Sequence, residues 1–164
     1  MKRGDDVRLE QGGGSWSTVS AGILDEKARQ AYSLGQCGAL AIALAERTGW
    51  PVYWLGRRDC AYDESCFPEA YSDQIVTGMD GPQALCPCQV EHLGVLRPDG
   101  SFIDIEGARS AQQAMAPRES EIILPAQPQL LADLRIGGRG WPRAHLGAAR
   151  MFAAAIVKQL AGDS

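Results

Sequence analysis

Histidine is scarce in this chain. Its 164 residues include two, His92 and His145, so any chemistry that needs an imidazole near neutral pH has two places to go. A basic cluster is missing too: the net charge is −4 and the arginines come without interleaved aromatics, which argues against nucleic acid as a partner. No apolar run approaches the length that crosses a membrane. The opening "MKRGDDVRLEQGGGSWS" has two positive residues with no apolar stretch behind them. Neither a membrane partner nor a secretory signal is expected, and the expected compartment is the cytoplasm, with export as an effector left open. No internal repeat is present.

What is there has the balance of a soluble globular chain, 45% hydrophobic and 22% charged. Gly12, Gly13 and Gly14 followed by Ser and Thr read as a flexible leader over residues 1–20, leaving 21–164 as a single domain. Within it "ILDEKARQA" is a short amphipathic helix, and "CGALAIALAERT" is a second, closed by Gly49. "PVYWL" is a strand. Residues 56–88 form a long polar excursion rich in Gly, Pro and Asp. "QVEHLGVLRPDGSFIDIEG" is a hairpin, followed by a helix near 108–115, a strand at "EIILP", a short helix at "PQLLADL" and a last helix over about 143–161. His145 suits a capping or surface role at that helix start. Helices mixed with antiparallel strands give the α+β class, with the cysteine-led helix packed on a mainly antiparallel sheet.

Cys37 opens the second helix, between Gln36 and Gly38. A cysteine at a helix N-terminus feels about half a positive charge from the peptide dipoles, which favours thiolate, and the neighbouring N–H groups can receive an oxyanion. The same position also suits a small buried hydrophobe. A nucleophile needs a base, and the base needs a carboxylate to orient it. The hairpin allows a test by register. Pro98-Asp99-Gly100 fits a three-residue loop with Arg97 facing Ser101, so that Gly94 faces Asp104 and His92 faces Glu106. Side chains alternate, which puts His92, Asp104 and Glu106 on one face with Asp104 diagonal to the imidazole. A loop longer or shorter by one residue would split the pair between faces. Asp104 is preferred over Glu106 because it lies between Ile103 and Ile105, where an unpaired carboxylate is costly.

The order Cys, His, Asp, with "GQCGALAIALAERTG" as the cysteine helix and "EHLGVLRPDGSFIDIEG" as the His–Asp hairpin, resembles the papain-like cysteine hydrolases. The likeness is to small bacterial and phage papain-fold proteins, toxin and effector domains among them, and to transglutaminase-like proteins; it covers about residues 30–107. It implies a papain-like fold with Cys37 as nucleophile, His92 as general base and then acid, and Asp104 holding the ring. It further implies a thiol-dependent hydrolase acting on an amide bond of a protein or peptide, by peptide cleavage, glutamine deamidation or acyl transfer. In that family an upstream glutamine completes the oxyanion hole, a role for which Gln30 and Gln36 are the candidates here.

Cys60, Cys66, Cys86 and Cys88 remain. Their spacings, five residues and one, depart from the two to four usual between paired zinc ligands, so no cofactor is favoured, with zinc, two disulfides or four reduced thiols as the possibilities. A rival arrangement takes His92 as a ligand with Cys86 and Cys88, which would remove the base. The rival functions are accordingly a zinc- or disulfide-stabilised interaction domain, with Cys37 in the core, and an inactive papain-fold peptide binder.

Overall fold

In chain order the strands are β1 (Asp6–Gly12), β2 (Ser15–Ser20), β3 (Val52–Gly56), β4 (Tyr71–Gly78), β5 (Gly81–Leu85), β6 (Val90–Leu96), β7 (Phe102–Asp104), β8 (Gly107–Arg109) and β9 (Ile122–Pro125). The helices are α1 (Glu26–Ser33), α2 (Cys37–Thr48), α3 (Ala111–Met115), α4 (Pro128–Ile136) and α5 (Leu146–Gly162). The structure is a computed structural model and describes residues 1–64 and 66–163. Five strands make the main sheet in the order β8-β7-β6-β3-β9, all pairs antiparallel, while β1-β2 and β4-β5 are separate two-stranded ribbons. This is an α+β fold with a helix packed on a sheet.

β6 lies at the centre of the main sheet, and α2 packs against both it and α5. Every residue from Cys37 to Leu44 is buried, so the first two turns of α2 are apolar and covered all round, while Glu46 and Arg47 in its last turn are exposed. Each fully buried Leu or Ile there stabilises the fold by about 1.5–3 kcal/mol. α5 meets it with Ala148, Ala149 and Ala153, whose small side chains allow close approach, and with the larger Phe152 and Ile156. Gly49 ends α2 in the left-handed conformation at φ 76°, its N–H donating to the Ala45 carbonyl at 2.8 Å. His145 caps α5, Nδ1 accepting the Ala148 N–H at 3.1 Å.

Three expectations need correction. Residues 6–20 are a paired hairpin rather than a leader: Leu9 and Val19 are buried in the main core, and the glycines supply its positive-φ turn. Val7 and Leu9 keep the period of two that marks a strand, and both join the main core cluster. The excursion is not wholly irregular, since β4 and β5 pair around Met79 and Asp80. Near residue 108 the chain first forms β8; the helix starts at Ala111 behind a capping box in which Ser110 and Gln113 exchange two hydrogen bonds.

Candidate active site

The His–Asp hairpin has the three-residue loop. Arg97 N–H donates to the Ser101 carbonyl at 2.9 Å, Leu96 faces Phe102 and Val95 faces Ile103. The register brings His92 and Asp104 together, Nε2 to Oδ2 at 2.7 Å, with the residues 1% and 2% exposed. β7 stops at Asp104. The chain turns at Ile105 and Glu106, helped by Gly107 at φ 86°, and returns as β8. The Glu106 N–H donates to Asp104 Oδ1 at 2.9 Å while the Glu106 side chain faces solvent and Arg29. Glu106 is therefore not a rival for the imidazole: the strand ends before it can lie opposite His92. The turn instead delivers Arg109, whose Nη2 donates to Asp104 Oδ2 at 2.5 Å.

Cys37 is the first residue of α2 and 4% exposed. The loop before it is stitched to β1 and to the segment ahead of α5. Gln36 Nε2 donates to the carbonyls of Glu10, at 2.6 Å, and Arg143, at 3.0 Å, and its Oε1 accepts the His145 N–H at 3.2 Å. Both amide protons of Gln36 are thus spent on backbone, which removes it as an oxyanion donor and makes it a buried latch. Gln30 lies exposed on α1 and is not part of the site. One position upstream of the latch, the Gly35 N–H donates to Gln11 Oε1 at 3.0 Å, and a Cβ on Gly35 would lie 2.4 Å from the Gln11 carbonyl oxygen, so the two backbones touch. Gln11 Nε2 is buried without a hydrogen-bond partner among the described residues. No side chain caps the start of α2.

Electrostatically the three residues act as a unit. Burial of the His92 ring works against its charged form, but the hydrogen bond it donates to Asp104 and the nearby Cys37 sulfur outweigh it and raise the imidazole above its ordinary value. For Asp104 burial again opposes charge, and His92, Arg109 and the Glu106 N–H hold the carboxyl below its ordinary value. With Nε2 occupied by Asp104, the other ring nitrogen, Nδ1, is buried and without a hydrogen-bond partner among the described residues, which leaves it as the atom able to exchange a proton with the nearby Cys37 sulfur. All three side chains are covered. Arg118, between α3 and β9, donates to the Ser33 carbonyl at 2.9 Å, and Leu134 of α4 fills the space beside Gly38.

The other cysteines converge elsewhere. Cys60 and Cys66 sulfurs are 3.5 Å apart, Cys66 and Cys88 3.6 Å, Cys88 and Cys60 3.5 Å, and all four sulfurs, Cys86 included, lie within 4.8 Å of one another. None forms a disulfide. The four are close enough to hold a metal ion. His92 is not in that group and points to Asp104, so the arrangement in which it serves as a ligand with Cys86 and Cys88 does not occur.

Arg109, Gln11 and the latch function of Gln36 were not foreseen from the sequence. Arg109 depends on a tight turn that the "DIEG" run disguises as strand, although its glycine is a turn signal. The two glutamines act across 24 or more positions, on backbone atoms that leave no spacing to read. No protein-family model, no curated protein and no solved structure matches the chain.

Proposed function

We propose that this protein is a thiol-dependent hydrolase of papain-like type that cleaves an amide bond in a protein or peptide, either in the main chain or in a glutamine side chain. The observation that carries the reading is the buried His92–Asp104 hydrogen bond at 2.7 Å, with the free ring nitrogen left for a cysteine at the head of a helix. A structural core position for Cys37 would not call for an imidazole and a carboxylate to be buried beside it.

In the reaction the Cys37 sulfur gives its proton to His92 Nδ1 and attacks the carbonyl carbon, forming a C–S bond. Charge on the carbonyl oxygen is received by backbone N–H groups at the open start of α2, with Gln11 Nε2 as the buried side-chain donor in reserve beside Gly35. His92 then protonates the leaving nitrogen, the C–N bond breaks, and an acyl-enzyme remains. Water, deprotonated by the same ring, adds to the acyl carbon and releases the acid and the thiol. Asp104 stabilises the imidazolium and fixes the ring, and Arg109 keeps Asp104 charged.

The same reading assigns Cys60, Cys66, Cys86 and Cys88 to a structural zinc ion. Four thiolates at about 2.3 Å from a tetrahedral zinc lie about 3.8 Å apart, against about 2.05 Å in a disulfide, and soft sulfur donors suit zinc. The observed 3.5–3.6 Å separations are of the first kind. Such a site is closed, and what it supplies is rigidity.

A mixture of candidate proteins and peptides incubated with wild type and Cys37→Ser, with masses compared, tests the hydrolase directly. Products present with wild type and absent with the variant are expected, either a glutamine whose ammonia has been exchanged for water, a net gain of about 1 Da, or a chain cut gaining one water. Identical mass profiles for both proteins, over substrates that include folded proteins and glutamine-bearing peptides, would reject it.

A further inference from the structure

Between Gly56 and His92 the register of the sheet slips. Leu55 lies opposite His92, but Gly56 lies opposite Val90, so Glu91 is an extra residue on β6. A bulge of this kind bends a strand and re-aims the side chain next to it, here His92. With the bulge in place the imidazole shares the face of Phe102, ring centroids 6.0 Å apart, and of Asp104. Drawn out, it would shift Val90 and the residues before it and pull on the strand end that carries His92, whose face is itself set by the hairpin loop.

On the far side of the bulge the strands are clamped. Gln89, buried, spends its whole side chain there: Oε1 accepts the Cys86 N–H at 2.7 Å, and Nε2 donates to the carbonyls of Arg57, at 3.1 Å, and Arg58, at 2.9 Å. Its own carbonyl accepts the Arg57 N–H at 2.9 Å. Gly56 meets this clamp so closely that a Cβ would fall 1.8 Å from the Gln89 oxygen. The sulfurs stand just beyond. Cys60 lies on the continuation of β3, and Cys86 and Cys88 lie on the lead into β6, three and one residues before Gln89.

We infer that the metal ion held by Cys60, Cys66, Cys86 and Cys88 is a positioning centre for His92: by tying the end of β3 to the start of β6 it fixes the bulge at Glu91, and with it the aim of the imidazole at Asp104. The inference deepens the hydrolase reading and rests on it for its consequence in catalysis, while its geometric content concerns His92 and Asp104 alone. No ligand position is left over on a four-sulfur site, so the ion acts through the strand and not on substrate.

The test uses the intact chain, loaded with zinc or stripped by a chelator, with the metal content measured and the His92 ring N–H followed by NMR. The zinc-loaded protein is expected to carry one zinc and to give a hydrogen-bonded ring proton signal that Asp104→Asn abolishes. Stripping should remove the signal, zinc should restore it, and circular dichroism should change little. Cys66→Ser, a ligand on the excursion away from β6, should lose zinc and the ring signal together, with Cys37-dependent turnover down about 10²-fold, the scale of a small misplacement of a reacting group. A chain that binds no zinc, a ring signal that survives stripping or Cys66→Ser, or global unfolding on stripping would each overturn the inference. Loaded protein with the ring signal present but no turnover would reject the hydrolase and support the clamp.

Discussion

Cys37 and the four clustered cysteines carry the same side chain into opposite surroundings. Cys37 is 4% exposed at the head of a buried helix, and an imidazole is the titrating group beside it. Of the other four sulfurs, those of Cys60, Cys66 and Cys88 face one another at 3.5–3.6 Å, with Cys86 within 4.8 Å of them, on the segment that joins β3 to β6. A sulfur next to a base is placed to lose its proton to that base and attack carbon; sulfurs next to one another are placed to share a cation. Neighbours decide the chemistry. The two sites are nevertheless linked, since β6 begins at one and carries the histidine of the other.

The sharpest way to separate the sites is Cys37→Ser, expected to lower turnover by at least about 10⁴-fold while leaving bound zinc at one per chain. Mass analysis of products and metal analysis check the two halves. A loss of zinc in this variant would break the separation. Next in size, Asp104→Asn should lower kcat by about 10³–10⁴-fold, because the ring loses the partner that fixes its orientation, whereas Glu106→Gln, on the turn beyond β7, should stay within about twofold. Steady-state kinetics on both distinguishes the buried carboxylate from its exposed neighbour. Gln11→Ala should lower kcat by about 10²-fold with KM little changed, and Gln30→Ala should leave both alone.

The smallest effect concerns pH and stability. His92 is raised, so its contribution is complete below the unfolded value of about 6.5 and fades as pH rises through the folded one. Asp104 is lowered, so its contribution is complete above about 3.9 and fades as pH falls through the folded value. Urea midpoints should therefore be flat for this pair between about pH 4 and pH 6.5 and decline on either side. Asp104→Asn should flatten both arms. An unchanged profile in that variant would place the pH dependence elsewhere.

The hairpin register and the His92–Asp104 pairing were legible because a turn signature fixes loop length and a period of two fixes the face. Cys37 as the first residue of α2, and Gly49 as its stop, were legible for the same local reason. What escaped lies where distant segments meet. Three consecutive glycines hid the strands on either side of them, although Val7, Leu9 and Val19 bury into the core. Extending β7 past Asp104 put Glu106 opposite the histidine and left Arg109 unseen, because a two-residue turn intervenes. The sulfur spacings match no familiar module since the convergence is made by β3 lying beside β6, an adjacency that spacing does not encode. Gln36, next to Cys37 in sequence, proved to be a latch, which only the carbonyls of Glu10 and Arg143 reveal.

An NMR titration of the His92 ring, in wild type and in Cys37→Ala, tests most directly whether sulfur, imidazole and carboxylate form one unit. The expected result is a ring that stays protonated above the ordinary histidine range in wild type and releases its proton at lower pH once the sulfur is removed. A ring that titrates in the ordinary range, or at the same pH in both proteins, would contradict the coupling on which the proposed reaction stands.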